Sequence, residues 1–213
     1  MGREFVELFN DWASYYDATV SGTDKEYAEV FRGYEDILED VASKAIGPVL
    51  EFGVGTGNLT NALLNKGFTV YGVEPSETMR EKAAEKLPAG IKLQDGDFLN
   101  FPAPPEKIQS IVSTYAFHHL TDVEKEEAVQ HYGNLLDKGG KIVFADTVFE
   151  NKDAYNATID QAEKHEFLNL AKDLKSEYYT TVEVLQEIFN KHGFTVEFQR
   201  FNHFVWVMEA IKQ

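Results

Sequence analysis

The chain has 213 residues, no cysteine and a formal charge of -16, from 20 Lys and Arg against 36 Asp and Glu. That length suits one hydrophobic core, so a single domain over 1–213 is expected. The lack of cysteine excludes disulfides, thiolate metal sites and a cysteine nucleophile, and the acidic balance, with Lys82, Lys86, Lys138 and Lys141 scattered, argues against DNA or bulk RNA as a partner.

The opening Met1-Gly2-Arg3-Glu4-Phe5 has no unbroken apolar stretch. Neither a leader nor a membrane span is expected, and the cytoplasm is the default location. Phe5, Leu8, Phe9, Trp12, Tyr15 and Tyr16 fall at helical spacing and predict one docking helix over 5–16, followed by a polar stretch from Asp17 to Glu26. A second helix is predicted over 27–44, closed by Gly47-Pro48, so residues 1–46 form a helical cap on a core from 47 onward.

From 49 the pattern alternates strand and helix. Strands are expected at 49–54, 68–73, 91–94, 110–114 and 141–145. Between them lie a helix over 58–66 closed by Gly67, one capped by Ser76 and running to Leu87, and one opened by the capping-box pair Thr121 and Glu124 and reaching about Asp137. Such repeated units predict a parallel sheet with helices on both faces. After polar, partly helical residues 150–176, Thr180 with Glu183 predicts a helix to His192, and strands at 194–200 and 203–210 are close enough in sequence to demand an antiparallel hairpin at the edge of the sheet.

The segment Gly53-Val54-Gly55-Thr56-Gly57-Asn58, directly after an apolar run, is the clearest chemical signal. Two readings compete. A dinucleotide fingerprint needs G-x-G-x-x-G, but the last position here is Asn58. The form present suits a ligand without phosphates, whose chain passes beside the turn backbone. Glu74 ends the second strand with a carboxylate able to accept two ribose hydroxyls; the plainer reading has it merely begin the next helix.

These motifs, Val49-Leu-Glu-Phe-Gly-Val-Gly-Thr-Gly57, Gly72-Val-Glu-Pro-Ser76, Gln94-Asp-Gly-Asp-Phe98, Val112-Ser-Thr-Tyr-Ala-Phe-His-His-Leu120 and Leu136-Asp-Lys-Gly-Gly-Lys141, resemble those of class I S-adenosylmethionine-dependent methyltransferases. Gly2-Arg-Glu-Phe5 and Phe31-Arg-Gly-Tyr34 look like the bacterial YrrT-type branch of that class. The resemblance implies a Rossmann-like seven-stranded sheet and S-adenosylmethionine as cofactor. It implies that Glu51 with the backbone of Gly53, Gly55 and Gly57 lines the methionine part, that Glu74 takes the ribose, and that Asp97 and Phe98 meet the adenine. Met79 is read equally as an adenine cover and as core, and Thr114 and Tyr115 stand beside the reactive methyl. Gln109 departs from the family's usual aspartate.

Methyl transfer needs mainly alignment, with a base only for a protonated acceptor. His118, His119 and Asp146 are the candidates, set against the plainer reading that one histidine is bonded below the cleft and Asp146 caps a turn. Tyr16 is balanced between lid and core, Trp12 reads as core, and Arg32 as a surface ion pair rather than a cofactor contact. Adjacent His118 and His119 would point apart if extended, and no nearby spacing supplies the ligands of a zinc site, so no metal is expected. The function expected is methyl transfer to a small molecule. A non-catalytic cofactor-binding protein, a nicotinamide oxidoreductase, and a tRNA or protein methyltransferase stand as alternatives.

Overall fold

The computed structural model describes residues 3–213, without the side chains of Leu8 and Asp11. The Met1-Gly2 portion of the N-terminal motifs, and those two side chains of the predicted first stripe, lie outside the described residues.

Seven strands form one sheet: β1 (Val49–Phe52), β2 (Val70–Val73), β3 (Lys92–Gln94), β4 (Ser110–Thr114), β5 (Lys141–Thr147), β6 (Phe194–Arg200) and β7 (Val205–Lys212). Their order is β3-β2-β1-β4-β5-β7-β6. All neighbours from β3 to β5 are parallel, whereas β7 runs antiparallel to both β5 and β6. The C-terminal hairpin therefore supplies the reversal at that edge, with β7 one place in and β6 outermost.

The core follows from strand alternation. Val49, Val112, Val143, Val205 and Val207 join one buried cluster, while their neighbours Leu50, Ile111, Ile142, Phe144 and Met208 join another. Successive side chains leave a strand on opposite faces, so a sheet buried on both faces is apolar throughout. On the first face pack α3 (Tyr34–Lys44) and α4 (Asn58–Asn65), with Ile37, Val41 and Leu63 at zero exposure. On the second pack α6 (Asp122–Leu135) and α9 (Val182–Lys191), through Tyr132, Leu185 and Phe189. The helices α5 (Glu77–Lys86), α7 (Lys152–Lys164) and α8 (Leu168–Ser176) complete the core.

Caps confirm much of the local reading. Ser76 accepts from the Met79 amide at 3.1 Å, and Thr121 and Glu124 close the full capping box. Three expectations change. The first helix is broken into a 3-10 turn at Arg3–Phe5, α1 (Val6–Trp12) and α2 (Tyr16–Val20), the last of which enters the stretch expected to be irregular. The second helix starts at Tyr34, not Tyr27, because Gly33 takes a left-handed φ of 78° just before it. Thr181 rather than Thr180 caps α9, its hydroxyl accepting from the Val184 amide, and Thr181 is also bridged to Phe149 through the Thr180 carbonyl and the Val182 amide.

Candidate functional site

The sheet order reverses between β1 and β4, which diverge in connection and leave a crevice at their carboxyl ends. A side chain at Gly53 would place its Cβ 2.8 Å from that of Ala116, so the turns after β1 and β4 meet there. Gly53, Gly55 and Gly57 have φ of 67°, 54° and 88°, which only glycine takes at low cost. Among the described residues a Cβ at Gly55 would meet nothing within 4 Å, so the loop leaves room above its backbone. Tyr115, at φ 54°, is a non-glycine residue in the same strained region, beside the same crevice.

The cavity at this point is lined by Gly53, Gly55, Glu74, Met79, Asp97, Phe98, Thr114 and Tyr16, all expected from the sequence. Phe9, Tyr115 and His119 line it too. Glu74 is 5% exposed, and its two oxygens accept from the amides of Gly55 at 2.9 Å and Ser76 at 2.8 Å. Burial raises its pKa, and those two amides oppose the shift. One lone pair on each oxygen is left for a ligand hydroxyl. Asp97 accepts the Leu99 and Asn100 amides on Oδ1, while Oδ2 faces Arg3 Nε at 2.9 Å. Met79 is both core and lining, at 2% exposure.

Glu51 and Gly57 are not among the lining residues. Gly57 serves as the left-handed residue before α4, with a Cβ position 3.0 Å from Leu87. Glu51 is fully buried beneath the loop and accepts from the Thr60 hydroxyl at 2.7 Å, its other oxygen having no partner among the described residues. Burial pushes its pKa up to about 8. The Glu51 carboxylate, one residue before the end of β1, is thus held by Thr60 of α4 instead of lining the cavity, because strand alternation turns it onto the α3 and α4 face while Phe52 turns to the other.

The N-terminal segment covers the cavity. Arg3 holds Asp97, Asn10 accepts from the Ser76 hydroxyl at 2.6 Å, and Asp17 accepts from Thr56 at 2.7 Å and Asn58 at 3.2 Å and pairs with Lys86 at 2.7 Å. Asn58, where a dinucleotide loop would carry glycine, is therefore a tie to this cover. Trp12 packs on Tyr16 and Tyr27 as core. Arg32 pairs with Glu29 at 3.3 Å on the surface.

His118 and His119 sit in a 3-10 turn, Phe117–His119, and not in extended chain. The turn brings their rings to 4.1 Å, which removes the premise on which they were expected to point apart. His118 Nδ1 lies 2.5 Å from Asp146 Oδ1, while Asp146 Oδ2 accepts the His118 amide at 2.8 Å. Asp146 is 2% exposed and its Oδ1 also accepts the Thr147 amide. Glu177, at the end of α8, faces His118 Nε2 at 3.4 Å and His119 Nε2 at 3.7 Å. Burial lowers the pKa of His118, but Asp146 and Glu177 outweigh it and raise it overall. Burial and neighbouring His118 lower that of His119. Against its own burial, Glu177 is held down at about 2 by the His119 contact and the charge of both histidines.

Of the three base candidates, only His119 lines the cavity, where Phe5 and Phe9 each stand 4.9 Å from its ring. Asp146 and His118 hold one another. Glu177 carried no signal in the sequence, being one charged residue in a polar stretch, and Arg3 entered only as part of the Gly2-Arg-Glu-Phe5 resemblance, with no site role. Phe9 belonged to the first apolar stripe but was not distinguishable within it.

Residues 49–140 match the methyltransferase domain family. Over all 213 residues the chain is 61% identical to an uncharacterized methyltransferase of Geobacillus sp. (strain WCH70), covering 100% of each, and 60% identical to one of Bacillus cereus (strain 03BB102), again 100% of each. Among solved structures it resembles magnesium protoporphyrin IX methyltransferase of Synechocystis PCC 6803 with bound S-adenosylhomocysteine, at TM-score 0.74 and 16% identity over 100% of both chains. It also resembles a possible histamine N-methyltransferase of Thermotoga maritima, at TM-score 0.68 and 19% identity, with 98% of this chain and 100% of that one covered.

Proposed function

We propose that this chain, which belongs to the S-adenosylmethionine-dependent methyltransferases, acts as a single domain that methylates a small molecule received between the glycine loop and His119. The observation that carries the reading is the cover over the cleft. Phe9 and Tyr16 from the N-terminal segment are part of the cavity wall, and Arg3, Asn10 and Asp17 tie that segment to the cofactor face. A cleft walled in this way favours a compact acceptor over a nucleic acid or folded protein, and the charge of -16 points the same way for tRNA.

The residues fit an adenosyl ligand. The loop backbone leaves open space at Gly55, Glu74 keeps free lone pairs, and Met79 and Phe98 offer an apolar wall for a ring beside Asp97. In this assignment Gly53, Gly55 and Thr114 bind the amino-acid end, Glu74 the ribose, and Asp97, Phe98 and Met79 the adenine. Reception of the adenine amino group by Asp97 requires Oδ2 to accept beside, or in place of, Arg3. When bound, the cofactor supplies a methyl group on a positively charged sulfur. The chain's task is to hold the acceptor heteroatom in line with that methyl, a contribution of several powers of ten in rate. His119 is the polar side chain at the acceptor end, placed to hold that heteroatom or take its proton.

The test is to incubate the protein with labelled S-adenosylmethionine and a metabolite extract and identify the labelled product by mass. A labelled small molecule is expected. Cofactor binding with no transfer would establish the non-catalytic alternative, and label found only in RNA or protein would replace the acceptor class.

A further inference from the structure

Three possible ligand groups converge behind the cavity: His118, His119 and Glu177. His118 Nδ1 faces the Asp146 carboxylate, which only accepts, and His119 Nδ1 lies 3.0 Å from the carbonyl of Ala116, which likewise only accepts. Nδ1 of each ring is thus engaged by an oxygen, and Nε2 is the nitrogen that faces Glu177. Side-chain exposure is 10%, 7% and 9% for His118, His119 and Glu177, so the cluster is largely closed off from bulk water.

We propose that His118, His119 and Glu177 form a binding site for a divalent first-row transition metal of the zinc type. One ligand atom from each residue lies within 4.8 Å of the other two. Bonds of about 2.0–2.1 Å in a tetrahedron put ligand atoms roughly 3.4 Å apart. The separations of 3.4 Å from His118 Nε2 to one Glu177 oxygen and 3.7 Å from His119 Nε2 to the other approach that edge length, so the carboxylate faces both nitrogens across its two oxygens. Two imidazoles and a carboxylate with a fourth position open is the donor set of catalytic zinc and related ions.

The surroundings are those of a metal site. Each ligating histidine has its other nitrogen fixed by an oxygen, which sets the tautomer and the ring direction. Tyr179 donates its hydroxyl to Glu177 and stacks on His118 at 4.9 Å and 17°. The two segments that bring the ligands together are locked to one another. The Tyr178 amide donates to the His118 carbonyl at 3.1 Å, and buried Lys125 donates to the carbonyls of both Leu120 and Tyr178.

His119 also lines the cavity, so the site borders the space assigned above to the acceptor. Resting on that reading, but with the metal taking over from a free His119 Nε2 as the group that meets the heteroatom, an acceptor hydroxyl, thiol or amine takes the open position and loses its proton more readily there. The metal-binding claim itself needs neither cofactor nor acceptor.

The test is a titration of the full chain, first stripped with a chelator, with Co2+ followed by its visible absorption, and then displacement by Zn2+. One equivalent of Co2+ in a low-symmetry site, displaced by one Zn2+, is expected. His118→Ala, His119→Ala and Glu177→Ala should each weaken binding at least about 100-fold, and Asp146→Asn about 10–100-fold, as removal of an orienting partner does. His165→Ala, at an exposed histidine outside the cluster, should leave it unchanged. Circular dichroism and S-adenosylhomocysteine binding report whether each variant is folded. Should His118→Ala unfold, Glu177→Gln still removes a ligand and should lose the absorption. No saturable Co2+ signal, or one that survives the loss of folded His119→Ala and Glu177→Gln, overturns the site and leaves a cluster held by protons alone. Failure to methylate any acceptor would not alter this result.

Discussion

The two ends of the cleft are built differently. At the cofactor end the chain works mostly through backbone: three left-handed glycines between 53 and 57, and a carboxylate at 74 fixed by the amide of Gly55 in that loop and that of Ser76 two residues on. At the other end, side chains from residues 5, 9, 118, 119, 146 and 177 converge from four separate segments. Contiguous backbone makes the first end rigid and easy to specify in a short motif. The second depends on tertiary packing to bring its charges together, and can vary its chemistry without disturbing the first.

The sharpest break of this contrast is Gly53→Val. Its branched side chain would start 2.8 Å from Ala116 Cβ at a φ of 67°, closing the crevice. S-adenosylhomocysteine affinity should fall by at least about 100-fold, or roughly 2.7 kcal/mol, in a calorimetric titration. Glu74→Gln keeps the shape but weakens hydrogen bonds to a charged group, so a loss of about 10–100-fold is expected. Affinity unchanged in both would separate the loop from cofactor binding.

His119→Ala tests the other end. Turnover should fall by about 100-fold or more, while S-adenosylhomocysteine affinity stays within about threefold. A parallel loss of affinity would mean that the two ends are one site energetically.

Glu51 offers a contrast in pH. Its carboxyl is held neutral in the folded chain, with a pKa of about 8 against 4.5 as the reference value. Below the reference value both states are protonated and no penalty exists. As pH rises towards 8 the unfolded chain ionises first, so stability falls by up to about 1.4 kcal/mol per pH unit and then levels off. Glu51→Gln should remove that decline, leaving the variant more stable than the parent by several kcal/mol at pH 9. Denaturant unfolding between pH 5 and 9 reads it, and parallel curves for the two proteins would contradict a neutral buried Glu51.

The smallest effect is expected at Arg32. Its pair with Glu29 is exposed, so Arg32→Ala should change stability by less than about 0.5 kcal/mol and leave cofactor affinity as it was.

The legible parts share one property. The capping box at Thr121 and Glu124, the glycine after α4, the strand at 110–114 and the loop at 53–57 are each decided by residues within one turn or strand of one another. The reading changed for two reasons: a distant partner, Phe149, bridges to Thr181 at the start of α9, and a single local glycine, Gly33, delays α3 within an otherwise helical stripe.

Sequence alone determined the doubly covered sheet and the glycine loop, because alternation, capping and left-handed turns act over a few residues; Glu74 was legible from its place at the end of the second strand, and Asp97 only through the family resemblance. Tertiary structure decided that Glu51 lies below the loop, that Arg3 reaches Asp97 and that Glu177 meets two histidines 58 and 59 positions earlier in the chain. Electrostatic contacts of that kind depend on separation in space, which no local pattern of residues records.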